Sequence, residues 1–213
     1  HFLRFTMPSF YFTGSQNPSQ ETPLLEWVGT DDLRIGDIRF HLSYDTAQLK
    51  RGLPDENLFL LGKPRHMVER ASNIQSSRQI SRIFEMGILR GGSVVLYDLI
   101  FRPDRIVAID HDPNPVDELE NYIVNYRKEA SVKPYYGVSQ DDRENMERLL
   151  SSEFPARNID LIVDDASHLY MQTREAFNIC FPYLAPDGLY VIEDWAWAHW
   201  TGDYWQKENA YFK

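Results

Sequence analysis

Residues 82–110 read RIFEMGILRGGSVVLYDLIFRPDRIVAID, and the fold follows from how that run divides. Arg82–Met86 is a short apolar stretch that runs into Gly87, and Ser93–Phe101 is apolar all round, with Ser93 placed to cap a helix. Arg105–Asp110 is a second short apolar stretch. Strand, glycine turn, helix, strand is the unit from which parallel sheets are built.

The same rhythm continues to residue 192. Val116–Tyr126 carries apolar residues at 116, 119, 122, 123 and 126, the spacing of one helical face. Lys133–Val138 reads as a third strand, and Asp141–Leu150 as a third helix with Glu144 three residues after Asp141 in a capping arrangement. Asp160–Val163 and Leu189–Ile192 read as the fourth and fifth strands, joined by a helix over Met171–Leu184 and a turn at Pro186-Asp187-Gly188. Strands so short and so apolar on both faces belong in a parallel sheet covered by helices. The expected class is α/β: a Rossmann-like, doubly wound parallel sheet with helices on both faces, plus an N-terminal extension.

Upstream the pattern is looser. His66–Ile74 suits a helix, and Leu33–Tyr44 alternates well enough for a strand or hairpin. Residues 1–32, rich in Pro, Ser, Thr and aromatics, read as a loose arm. The expected division is therefore 1–80, an arm that serves the substrate as a lid or mediates oligomerisation, and 81–213, the Rossmann-like domain. The second part is expected to lack its final strands.

Composition narrows the partners. The chain has 213 residues, 43% of them hydrophobic and 25% charged, with a net charge of −10. Residues 1–80 hold 9 basic and 9 acidic side chains against 13 and 23 in residues 81–213, so the whole negative balance lies in the second part. No basic patch suits a nucleic acid, and no apolar run reaches the roughly 18 residues of a membrane span. The opening HFLRFTMPSF lacks the parts of a signal peptide, and the single Cys180 excludes an internal disulfide, so the cytoplasm is the expected compartment. Cys180 falls in the apolar rhythm beside Phe177 and Phe181 and is expected to be a buried, inert thiol.

Ligands of such sheets bind beyond the C-terminal strand ends. The first strand runs into Glu85-Met-Gly87-Ile-Leu-Arg-Gly91-Gly-Ser93, where Gly87 and Gly91 allow a tight turn and the helix start attracts an anionic group. The second ends in Asp110, 25 residues after Glu85, where an acid can accept from both hydroxyls of a ribose or else cap the next helix. Ser139 and Gln140 follow the third strand, in reach of a base edge. The fourth strand ends in Asp164-Asp165-Ala-Ser-His168 and the fifth in Glu193-Asp194. Neighbouring strands lie about 4.8 Å apart, so these ends converge. Carboxylates meeting without a cysteine suit magnesium, and a nearby histidine suits a base. Helix capping and a structural histidine are the plain alternatives.

These residues resemble the class I S-adenosylmethionine-dependent methyltransferases. Within them they are most similar to the metal-dependent natural-product O-methyltransferases of the mycinamicin sugar type and the cephalosporin-hydroxylase-related family. The resemblance runs from about Arg82 to Trp195 and is most specific in Asp164-Asp165-Ala166-Ser-His168 and Leu189-Tyr-Val-Ile-Glu193-Asp194-Trp195, the family usually having Gly at position 166. It implies magnesium on Asp165, Glu193 and Asp194, His168 as general base, and Glu85, Gly87 and Asp110 as S-adenosylmethionine contacts. Gly91, Ser93, Ser139, Gln140 and Asp164 complete the expected cofactor site. The implied reaction is methylation of a hydroxyl on a sugar or polyketide-type small molecule. A nicotinamide oxidoreductase is the second reading, disfavoured because the loop is not G-x-G-x-x-G. A non-catalytic binding or partner protein is the third, disfavoured by the complete acid and histidine set. Four of the five tryptophans lie within residues 195–205, a wall for a sugar face or a segment buried in packing or in a homo-oligomer.

Overall fold

The computed structural model describes residues 25–45, 47–48 and 57–195. In chain order it contains β1 (Glu26–Trp27), β2 (Asp32–Ile35), β3 (Ile38–Leu42), β4 (Leu58–Leu61), α1 (Arg65–Ser77), β5 (Arg82–Met86), α2 (Gly92–Phe101) and β6 (Arg105–Asp110). There follow α3 (Asp117–Asn125), β7 (Val132–Tyr136), α4 (Arg143–Glu153), β8 (Ile159–Asp164), α5 (Tyr170–Cys180), a 3₁₀ turn (Phe181–Tyr183) and β9 (Leu184–Ile192).

Strands β5 to β9 form one parallel sheet in the order β7-β6-β5-β8-β9. The chain starts at the centre, moves outward to β7, then returns to the other side of β5. That reversal opens a cleft between the ends of β5 and β8. Register aligns its floor: Met86 pairs with Ile109 and Asp164, and Asp164 with Ile192. Successive residues feed opposite cores. Ile83, Ile106, Ala108 and Val163 pack with α1, α2 and α3 on one face, while Phe84, Met86, Val107 and Ile162 pack with α4 and α5 on the other. This two-sided burial is why the strands read as continuous apolar runs.

The N-terminal region is more ordered than an arm. Strands β1 to β4 make a second sheet, with β2 and β3 a hairpin turned at Gly36-Asp37 and β4 parallel to β3. Leu33, Ile35, Ile38, Phe40 and Leu42 alternate inward and join the core of the α1–α3 face. The segment 25–32, expected to be irregular, holds β1 because Glu26 and Trp27 pair with Arg34 and Leu33 of the hairpin. Residues 1–24 lie outside the described part, as do Trp197, His199, Trp200, Tyr204, Trp205 and Tyr211.

Four local expectations need correction. Ser93 does not cap α2: the cap position is Gly91, left-handed at φ 76°, and Ser93 lies inside the first turn. Asp142 rather than Asp141 caps α4, its side chain accepting from Asn145 N. The fourth helix stops at Cys180 instead of running to Leu184. Pro186-Asp187-Gly188 lies within β9 as an irregularity, because pairing jumps from Ile159–Leu184 to Leu161–Leu189. Cys180 is buried, and burial pushes its thiol far up, as an inert role requires. Among the described residues, no helix is long and apolar enough to cross a membrane.

Candidate active site

A cavity of about 830 Å³ lies over the C-terminal edge of the parallel sheet. Its floor brings together Gly87, Ser93, Asp110, Ser139, Gln140, Asp165, His168 and Asp194 from five strand ends, and Tyr44, Leu60 and Lys63 reach it from the small sheet. Glu85, Gly91, Asp164 and Glu193 do not line it.

The glycine loop is shaped by contact between strand ends. Gly87 has φ 98°, and a Cβ there would stand 2.3 Å from the Asp165 carbonyl oxygen, so only glycine lets β5 and β8 close to this distance. Backbone bonds extend the ladder past the strands: Gly87 N donates to Ile109 O, Asp165 N to Met86 O and Glu193 N to Asp164 O, each at 2.9 Å. Asp110 holds the loop from the neighbouring strand. Its Oδ2 accepts from Ile88 N at 2.9 Å and Leu89 N at 3.1 Å, and its Oδ1 from Asp112 N at 2.9 Å. The exposed His111 ring is 3.2 Å from Oδ1, the one partner of Asp110 that a ligand hydroxyl can replace without breaking the loop.

Gln140 is spent within the protein. Its Nε2 donates to both oxygens of Asp164, and its Oε1 accepts from Ser167 N at 2.8 Å, tying the ends of β7 and β8 together. Asp164 lies beneath the cavity floor, and burial pushes its carboxyl up to about 7 against the pull of Ala166 N and Gln140. Ser139 donates to Asp141 at the rim.

Beyond β8 and β9 the acids and the histidine meet. Asp165, His168 and Asp194 each present a ligand atom within 4.8 Å of the others, and His168 Nε2 is 3.9 Å from Asp165 Oδ1. His168 and Asp194 adopt left-handed backbones, φ 58° and 53°. That conformation costs a non-glycine residue free energy and recurs where a side chain must be aimed.

Glu193 faces a different partner. It is 7% exposed, and its Oε2 accepts from Lys63 Nζ at 2.6 Å; the same ammonium donates to Asp165 Oδ2 at 2.8 Å. Burial opposes the charge on Lys63, but Tyr97, Asp165, Glu193 and Glu85 hold it well above the ordinary lysine range. Burial pushes Glu193 up, with Lys63 pulling the other way. Glu85 is fully buried in the layer under α2, and neither oxygen meets a donor in hydrogen-bonding geometry. Burial pushes it up to about 8, although Lys63 and the Ser93 hydroxyl are near enough to favour the charged form.

Lys63 and Tyr44 carry no local signal in the sequence. Lys63 stands in Leu61-Gly-Lys-Pro-Arg65 with no motif around it, 102 residues from Asp165 and 130 from Glu193. Tyr44, largely exposed, lines the same cavity, and its pKa is raised, first by partial burial and then by the charge of Asp194.

An open parallel sheet with a glycine loop, a strand-end acid and a carboxylate–histidine group around one cavity is an architecture built for a nucleoside-type cofactor and a second reactant. The chain belongs to the family described as "Methyltransferase domain", whose model matches residues 84–195, just over half of it. Mycinamicin VI 2''-O-methyltransferase of Micromonospora griseorubida is 31% identical over 129 residues, 57% of this chain and 29% of that protein. Demethylmacrocin O-methyltransferase of Streptomyces fradiae is 28% identical over 128 residues, again 57% and 29%. The chain thus spans under a third of the length of these relatives. Among solved structures, an SAH-bound methyltransferase of Podospora anserina shares the fold, with a TM-score of 0.55 at 17% identity over 77% of this chain and 71% of that one.

Proposed function

We propose that the chain is an S-adenosylmethionine-dependent O-methyltransferase that acts, with magnesium, on a hydroxyl of a sugar or polyketide-type natural product. The observation that carries this reading is the single cavity, which joins the glycine loop and Asp110 at one end to Asp165, His168 and Asp194 at the other. The family supplies the class of reaction, and the named relatives are O-methyltransferases of mycinamicin VI and demethylmacrocin, as their names state.

The residues present fit both groups. A cavity of about 830 Å³ falls within the roughly 300–1,000 Å³ range of small-molecule sites. Asp110 can trade His111 for a ribose hydroxyl, Gly87 and Ser93 line the loop, and Glu85, its carboxyl raised to about 8, is buried outside the cavity lining as a mostly neutral group. For the metal, Asp165 and Asp194 offer hard oxygen atoms from one wall, with Glu193 the third carboxylate of the set. S-adenosylmethionine supplies an already activated methyl group, and magnesium the charge that acidifies a nearby hydroxyl.

The chain's own part is alignment and proton removal. His168, its backbone fixed at φ 58°, stands beside Asp165 and takes the proton of the acceptor hydroxyl. Tyr44, Leu60 and Lys63 line the cavity, which supports a substrate role for the region before residue 81. Holding the acceptor oxygen in line contributes more than any single group, because it removes the entropy of a two-body encounter.

Calorimetric titration with S-adenosylhomocysteine, with and without magnesium, tests this directly. Binding in both conditions, with methyl transfer to a glycosidic diol lost in EDTA, is the expected result. No binding at millimolar ligand, or preference for NAD, would refute the cofactor; full transfer in excess EDTA would refute the metal.

A further inference from the structure

Lys63 enters the acid group from outside the parallel sheet, at the junction of β4 and α1, with 3% of its side chain exposed. Its Nζ stands 2.8 Å from Asp165 Oδ2 and 2.6 Å from Glu193 Oε2. These contacts distinguish the group from a solvated acidic patch, since a lysine is almost never buried so far without partners. Two of the three carboxylates assigned above to a divalent ion therefore spend an oxygen on one ammonium. Its distances of 2.8 and 2.6 Å exceed the roughly 2.0–2.1 Å of magnesium–oxygen contacts by less than 1 Å. The ammonium occupies the point that a small cation bridging Asp165 and Glu193 would take, and two cations cannot share it.

The other side of Asp165 is arranged differently. Its Oδ1 faces His168, and Asp194 presents its carboxylate to the same space, lining the cavity where Glu193 does not. An ion arriving through the cavity meets Asp165 and Asp194 first, and Glu193 only where Lys63 lets go. Lys63 itself lines the cavity, so its long, unbranched side chain has open space to move into.

We propose that Lys63 is a built-in competitor for the divalent ion: in the metal-free chain it neutralises Asp165 and Glu193, and the full three-carboxylate site forms only when its ammonium swings away. This rests on the metal reading of the site given above. It makes Lys63 a positioning residue, one that keeps the acids folded together while the ion is absent. It also lowers the apparent metal affinity by the fraction of time the site is open.

The test is a manganese titration of the full chain, with free Mn²⁺ followed by electron paramagnetic resonance, for the wild type, Lys63→Met and Lys63→Arg. Lys63→Met is expected to bind at least about tenfold more tightly than the wild type, and Lys63→Arg, which keeps the cation, to stay near it. A lysine with a merely structural role would leave Lys63→Met equal or weaker in affinity, and that result overturns the proposal while sparing the metal site. Manganese binding by none of the three overturns both. Should Lys63→Met fail to fold, the wild type carries the test through amine labelling read by mass spectrometry. Lys63 is expected to react faster with Mn²⁺ bound than without it, and equal rates overturn the competition.

Discussion

The two ends of the cleft treat their acids in opposite ways. At β5 and β6, Asp110 is held by the backbone amides of Ile88, Leu89 and Asp112, neutral donors a few residues away or on the adjacent strand. At β8 and β9, Asp165 and Glu193 are held by an ammonium brought from the small sheet. The first end is a cradle whose shape is set by hydrogen bonds from the chain's own backbone amides. The second is a charged assembly whose balance changes with every cation or proton it gains. Under the proposed function, cofactor binding falls to the first end and ion and proton chemistry to the second.

The largest expected effect probes the second end. His168→Ala should lower methyl-transfer turnover by roughly 10²–10⁴-fold, the usual size of a general-base contribution, with S-adenosylhomocysteine affinity unchanged by calorimetry. An equal loss of cofactor affinity would break the division of labour between the two ends.

Next in size is the ion triad. In metal-free protein, Lys63→Ala should cost about 3 kcal/mol in urea unfolding, because it strands the buried Glu193 and the partly buried Asp165. Magnesium should recover part of that loss by binding only the folded form.

Glu85 sharpens the comparison through pH. Its carboxyl is raised from 4.5 to about 8, so the folded state holds a proton that the unfolded chain releases, and stability falls as pH rises through that window. Glu85→Gln should therefore stabilise the protein by about 3 kcal/mol at pH 7 and by less than about 1 kcal/mol near pH 5. Thermal melts of both forms across that range measure it, and a pH-independent difference would mean that Glu85 stays ionised.

The smallest effect belongs to the first end. Asp110→Ala should weaken S-adenosylhomocysteine binding by about 1–3 kcal/mol through the lost acceptor and a loosened loop. Turnover at saturating cofactor should change little.

The parallel sheet was legible because each strand carries its own signal, apolar on both faces and closed by a turn residue. The strand-end residues were legible for the same reason, since topology alone brings Gly87, Asp110, Asp165 and Asp194 to one edge. Roles decided by a partner's direction were not. Glu193 and Asp194 are adjacent in the chain, yet one turns inward to Lys63 and the other lines the cavity. Gln140 sits where a base contact is expected but is consumed by Asp164 and Ser167. Ser93 looks like a helix cap, but the left-handed Gly91 takes that position. The small sheet was half visible: the β2–β3 hairpin alternates cleanly, whereas β1 and β4 depend on partners elsewhere and are too short to show a period.

Gly92 bears on how such a protein can be taken apart and recombined. A Cβ on that residue would stand 2.0 Å from the Leu60 carbonyl oxygen, so β4 rests directly on the first turn of α2. The substrate-side segment and the cofactor loop are thus cast against each other, and residue 80 is a poor place to cut. A chimera that exchanges the first 80 residues to redirect acceptor choice also exchanges the backbone that α2 leans on and the lysine that occupies the acid site. A graft that keeps residues 57–80 with the parent preserves both, and leaves the preceding strands free to vary with the molecule they greet.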